Sequence, residues 1–248
     1  MASLSILYYT ANTLNATFLT QTQVALREAA DRANAEIIAV GRQPMDFGDR
    51  NFVFDPTIPI CNWAIYRQMF MAAQAARTPW VACAEDDAFY APEHFLECPR
   101  DALRFWYDDN RWQLYTWLKE PIFCTKPSHH DNIRPVAWIL NCSRDLLLRN
   151  LTDRFRRYPD PLEHNTPNDH WMEPGRPEEA EIMPGWPLAG YGRWRCSRPS
   201  VVVLHAESLG QKRLKPGHVR RMQTQRADEL YRWGRADALL DKIGIPYG

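Results

Sequence analysis

Three consecutive acids, Glu85-Asp86-Asp87, follow the apolar run WVACA at positions 80–84. Carboxylates packed this closely repel one another unless something neutralises them. A divalent cation does so, and hard oxygen ligands suit Mg²⁺ or Mn²⁺. Such an ion can bridge to a diphosphate and stabilise it as a leaving group. The triplet also reads as a solvated acidic turn ahead of a helix that Pro92 and Glu93 begin. A second group of interest is His205, at the end of the apolar run SVVVL, with Gln211, Lys212 and Arg213 behind it. Cations there can pair with a diphosphate. The plain alternative is a strand-end His with a backbone partner and a solvated basic loop.

These residues need elements to position them. Residues 4–9 (LSILYY) and 36–40 (EIIAV) are short apolar runs, as is 80–84. Each reads as a buried strand. Helical spacing over 13–34 and 61–76 fills the gaps, and Asn12 or Thr13 can cap the first helix. Residues 41–59, with their Gly, Pro and Asp, read as loop. This β-α-β-α-β alternation predicts an α/β protein with a mostly parallel sheet and helices on both faces. The second half is less regular. Strands are expected over 111–117, 122–125, 137–141 and 200–204, with a helix over 144–151 and a long loop over 158–192. An amphipathic helix is expected over 218–243, from Val219, Met222, Leu230, Trp233, Leu240 and Ile243. No repeat and no linker divides the chain.

The segment PICNWAIYRQMFMAAQAARTPWVACAEDDAFYAPEHF, residues 59–95, resembles the central stretch of family 2-like GT-A glycosyltransferases. The resemblance implies a Rossmann-like GT-A fold in a single domain. By it, residues 1–110 form a nucleotide-sugar half, 111–217 an acceptor half and 218–248 the terminal helix. It implies a hexosyl- or pentosyltransferase that uses Mn²⁺ or Mg²⁺ and a nucleotide-sugar donor, with UDP favoured. Glu85 and Asp87 take the two acidic positions of the DxD-type motif, and Asp86 shares the donor contact. The first position departs from the family pattern, being Glu. The resemblance also makes His205 a metal ligand and places Thr10, Asn12 and Arg42 on the nucleotide side. Lys212 and Arg213 then face the diphosphate. Thr10 and Asn12 can equally serve as helix caps. Inverting members place an acid in the long loop to deprotonate the acceptor hydroxyl. Within DPLEHNTPNDHWME, residues 160–173, Asp169 is favoured over Glu163, because Trp171 beside it can floor a sugar site.

Composition sets outer limits. The 248 residues carry no formal net charge, which argues against whole-molecule capture of a polyanion. Charge is nonetheless segregated. Residues 160–181 hold seven acids and one Arg, and 211–242 hold nine Lys or Arg and four acids. Arg144, Arg149, Arg154, Arg156 and Arg157, with the arginines near the C-terminus, would suit a DNA acceptor such as a hydroxymethylated base. They also read as solvated helix faces. The ten Trp either pack or line a groove. Six scattered Cys read as reduced thiols of a cytoplasmic protein, and neither a signal peptide nor a membrane span is evident. Two other classes stay open. A nucleotidyltransferase is disfavoured because YYTANTLN has neither Gly nor Lys to cradle phosphates. A non-catalytic nucleic-acid-binding module leaves the acids unexplained.

Overall fold

A computed structural model of the chain describes residues 2–125, 135–160, 173–175, 190–205 and 225–247. Strand β1 (Leu4–Tyr9) is buried along its whole length, as a mostly apolar strand covered on both faces is, and its one polar side chain, Ser5, donates to Glu36 Oε1 at 2.5 Å. Helix α1 (Ala16–Ala33) follows and leads to β2 (Ala35–Gly41), which pairs parallel with β1 from Leu4↔Ala35 to Tyr9↔Val40. The cap of α1 is Asn15, whose Oδ1 accepts from Phe18 N at 2.8 Å, not the expected Asn12 or Thr13. Asn12 instead takes a left-handed φ of 57° and bends the chain ahead of the helix. The buried stripe Phe18, Thr22, Leu26, Ala29 and Ala30 has the spacing of one helical face.

Residues 41–59 are not all loop: β3 (Arg50–Val53) adds to the outside of β2 in parallel. Its two apolar side chains, Phe52 and Val53, are exposed, and the run is too short to stand out from the Gly, Pro and Asp around it. Helix α2 (Asn62–Ala75) then returns to β4 (Trp80–Glu85), which pairs parallel with the other side of β1. The two crossovers step in opposite directions along the sheet. Right-handed connections therefore put α1 and α2 on opposite faces.

The acidic turn leads into β5 (Ala88–Phe89) and the short α3 (Pro92–Leu96). Strands β6 (Phe105–Asp108), β7 (Arg111–Tyr115) and β8 (Phe123–Thr125) follow. Next come a 3₁₀ turn (Ala137–Ile139), β9 (Leu140–Ser143) and α4 (Arg144–Arg157), which packs on α2. Strands β10 (Tyr191–Trp194) and β11 (Ser200–Leu204) come later. The main sheet has the order β10-β6-β9-β4-β1-β2-β3, and β9 is its antiparallel member. The α/β class, mostly parallel sheet and two helical faces are as the sequence led us to expect.

The C-terminal helix expected over 218–243 is corrected in its described part. Residues 225–235 form β12 (Gln225–Ala227), β13 (Glu229–Leu230) and β14 (Gly234–Arg235), and only α5 (Ala236–Lys242) is helical. Arg232 and Gly234 take φ of 79° and 71°, which no α-helix admits. The apolar positions were nonetheless informative, since Leu230, Leu240 and Ile243 are buried. They join Phe18, Phe89, Leu114, Val201 and Val203 in a second core. That core sits against a second sheet of order β12-β8-β7-β11-β5. All six Cys are buried free thiols. No described helix is long and apolar enough to cross a membrane.

Candidate active site

Parallel strands deliver their carboxyl ends to one edge of the sheet, where ligands of such folds bind. Glu85 closes β4 directly opposite Tyr9 of β1. The chain then turns into β5, which pairs antiparallel with β11 through Phe89↔Val201 and Ala88↔Val202. Val203 N continues that ladder by donating to Asp87 O at 2.9 Å. Two residues on, His205 Nε2 stands 3.7 Å from Asp87 Oδ2. Its ring meets Phe18 of α1 edge-on, centroids 5.9 Å apart. A one-residue slip of β11 would turn His205 to the other face.

Each of the other acids has its own tether. Tyr9 OH donates to Glu85 Oε1 at 3.1 Å, and Glu85 N donates to Tyr90 Oη at 2.9 Å. Tyr90 OH is fixed in turn on Trp138 O at 3.0 Å. The Thr10 hydroxyl donates to the Asp86 carboxylate and accepts from Asn12 N at 2.8 Å. Burial raises the proton affinity of Glu85, and the charge of Asp87 raises it further against the Tyr9 bond. Asp86 is raised likewise by burial and Asp87, while Thr10 and His205 pull it down. Glu173 lies close enough to add to the rise at Glu85.

Glu85 and Asp86 are only partly buried residues, so a cation arriving from outside could relieve the repulsion. The donor chemistry fits a hard or borderline divalent ion: carboxylate oxygens and one imidazole. Ligand bonds of about 2.0–2.2 Å let one ion touch two atoms as close as Asp87 Oδ2 and His205 Nε2. Among the described residues no three His, Cys, Asp or Glu form a ready shell. The remaining positions would therefore fall to substrate oxygens or water.

Thr10, Asn12 and Arg42 are brought together at the ends of β1 and β2, but their polar groups serve the frame. Asn12 Oδ1 accepts from Arg42 N at 2.6 Å and Gln43 N at 3.1 Å. Gly41 makes room for this, since a Cβ there would stand 2.8 Å from Asn12 Oδ1. The Arg42 guanidinium donates to Pro56 O and Ile58 O at 2.6 and 2.5 Å. Sequence reasoning passed over Gln68 of α2, whose buried Nε2 donates to Thr10 O at 2.9 Å and Val40 O at 3.2 Å. It also passed over Tyr9, Tyr90 and Glu173. A polar residue inside an apolar helix was the available signal for Gln68. The candidate base Asp169 and the cations Lys212 and Arg213 lie outside the described residues.

Part of the basic run on α4 is engaged within the molecule. Arg144 Nε donates to Ala73 O at 2.9 Å, at the end of α2, and Arg157 Nε to Asp153 Oδ2 at 2.7 Å. Arg156 also pairs with Asp153, and Arg154 is fully buried, 5.4 Å from the Tyr66 ring. Arg154 is thereby withdrawn from the surface, whereas the Arg156 side chain remains 73% exposed.

The raised carboxyls set a pH dependence. The folded chain holds these protons more tightly than the unfolded chain, so it binds more of them through the acid-to-neutral range. Metal-free stability should therefore fall as pH rises from about 4, where unfolded carboxylates ionise, toward neutrality. Urea unfolding in EDTA from about pH 5 to about pH 7.5 should show a declining midpoint, and Glu85→Gln should flatten the decline. A parent midpoint that climbs over this range would contradict the reading.

No protein-family model matches the sequence, and no curated protein does. Solved structures give loose likenesses. One is a nucleotidyl transferase from Methanothermobacter thermautotroptrophicus, at TM-score 0.37 and 14% identity over 61% of this chain and 76% of that one. Another is a glycosyltransferase involved in the glycosylation of the major capsid of PBCV-1, at 0.40 and 11% over 89% and 91%. A third is 2-C-methyl-D-erythritol 4-phosphate cytidylyltransferase from Thermus thermophilus, at 0.37 and 14% over 88% and 94%. Overlaps this loose leave the functional reading to the site itself.

Proposed function

We propose that the protein is a metal-dependent glycosyltransferase of the GT-A type, moving a sugar from a nucleotide sugar to an acceptor hydroxyl. The observation that carries this is the largely buried Glu85-Asp86-Asp87 turn beyond a central strand, with His205 3.7 Å from Asp87. Asp87 and His205 would hold Mn²⁺ or Mg²⁺, with Glu85 beside them. The ion, when bound, supplies positive charge that steadies a departing diphosphate. Tyr9 and Thr10 keep Glu85 and Asp86 aimed, so no reorganisation is needed as charge develops. The nucleotide, with UDP favoured, enters residues 1–110 beside the frame that Asn12 and Arg42 build, and Lys212 and Arg213 pair with its diphosphate. In the acceptor half, residues 111–217, Asp169 takes the hydroxyl proton as that oxygen bonds to the anomeric carbon. The bond from that carbon to the diphosphate breaks in the same event.

A thermal-shift and donor-hydrolysis screen of UDP-, GDP- and dTDP-sugars, with and without Mn²⁺, tests the reading. One donor should raise the melting temperature only with metal. A hundredfold excess over Kd stabilises by about 2.7 kcal/mol. Pyrophosphate release from a nucleoside triphosphate would favour a nucleotidyltransferase instead. Salt-sensitive DNA binding with no donor shift would favour a nucleic-acid-binding module.

A further inference from the structure

A groove of about 470 Å³ lies between α1 and the C-terminal hairpin and helix, with Phe89, two residues past the acidic turn, in its lining. Its apolar surface comes from Val24 of α1, Phe89 of β5 and Trp233. Val24 is 59% exposed, a large apolar side chain left open to solvent. The indole of Trp233 is pinned through Nε1 to Pro199 O at 2.8 Å, and its ring lies 5.5 Å from Phe89. Around this surface stand Arg232, Arg235 and Lys242, with Glu28 as the one acid among the lining residues. Arg232 pairs with Glu28, Arg235 is held by Asp237 at 2.7 Å, and Lys242 adds a third cation beside the aromatic wall.

Arg232 is the unusual member. It holds φ at 79°, a left-handed conformation that disfavours any residue with a Cβ. Strain of this kind persists only where the surroundings impose it, and it gathers at ligand clamps. The guanidinium lies 5.3 Å from the Trp233 ring and reaches Glu28 Oε1 through Nη2 at 3.0 Å. Its Nε is buried with no hydrogen-bond partner. A buried donor without an acceptor calls for one, and an arginine fork suits carboxylate or phosphate oxygens.

We propose that this groove is a second binding site, for a small organic anion with a flat apolar body. The anionic group sits at Arg232, flanked by Arg235 and Lys242, and the flat body lies against Trp233 and Phe89. The site does not depend on the activity proposed at the acidic turn.

Phenyl phosphate is the probe, added to the full chain in EDTA so that no metal-dependent site contributes. The protein carries 5-fluorotryptophan, and the Trp233 signal is assigned by its loss in Trp233→Phe. Phenyl phosphate should shift that fluorine signal saturably. Inorganic phosphate, which lacks the ring, and benzyl alcohol, which lacks the charge, should each bind at least ~10-fold more weakly, the effect of losing about 1.4 kcal/mol. Arg232→Asn, which tolerates the left-handed backbone, should weaken phenyl phosphate by a similar factor. The double variant Arg235→Ala, Lys242→Ala changes only exposed side chains and should weaken it several-fold. It decides the matter if Arg232→Asn does not fold. The proposal is overturned if phenyl phosphate leaves the Trp233 signal unmoved. Benzyl alcohol binding as tightly, or folded charge-removal variants binding as the parent does, would overturn it too.

Discussion

Asp87→Asn should reduce metal-dependent turnover of the nucleotide sugar by roughly a thousandfold, the scale of losing several kcal/mol of charge stabilisation. The side chain is isosteric, and the backbone role of Asp87 is untouched, because Val203 N bonds to its carbonyl. The β5–β11 ladder should therefore survive, and far-ultraviolet circular dichroism should match the parent. Melting temperature in EDTA should hold or rise, since a charge is removed from a crowded acidic turn. Donor hydrolysis measured across a Mn²⁺ titration gives the answer. Turnover within tenfold of the parent at saturating metal would remove Asp87 from the site.

The largest effect on stability is expected elsewhere. His94 Nδ1 and Asp108 Oδ2 are 2.9 Å apart with both side chains wholly buried. Asp108 Oδ1 also accepts from Asn110 N at 2.8 Å and Cys196 N at 3.2 Å. His94 Nε2 faces Asn141 Nδ2 at 3.1 Å. The cluster thus ties α3, β6 and β9 to the segment before β11. Burial alone would raise the Asp108 carboxyl, but the His94 contact and the Cys196 and Asn110 N–H groups hold it below the usual range. Asp108→Ala leaves His94 and two backbone donors stranded, so a loss of about 3–5 kcal/mol is expected. That corresponds to a fall in Tm of roughly 6–20 °C for a chain of this size. The contribution of Asp108 is present above the ordinary Asp range, about pH 4, and is lost as pH falls below it. Calorimetry at neutral pH tests this, and a Tm within about 2 °C of the parent would show that the cluster is not a brace.

The parts of the fold legible in the sequence share a physical cause. Strands β1, β2 and β4 are mostly buried on both faces, so each appears as a predominantly apolar run. The acids could be placed at a strand end because the run stops where they begin. Strand β3 was missed because its apolar part, Phe52-Val53, is too short to stand out from the Gly, Pro and Asp around it. The terminal hairpin was misread as helix because Leu230, Leu240 and Ile243 fall on one side of a helical wheel while two left-handed residues break the backbone between them. At the site, His205 was visible as a strand-end residue, but its nearness to Asp87 rests on the β5–β11 register, a pairing distant in sequence. The tethers from Tyr9, Thr10 and Gln68 depend on side-chain direction across neighbouring elements, which residue type and spacing do not encode.

That distant pairing has a consequence in time. The acidic turn and His205 are separated by roughly 120 residues, and a ribosome adds ~5–20 residues per second. Asp87 is thus made on the order of ten seconds before the strand that brings its histidine. Through that interval β1, β2 and β4 can already pair, while the acids wait without their partner. The chain therefore acquires the strands that frame the site before it acquires the site itself.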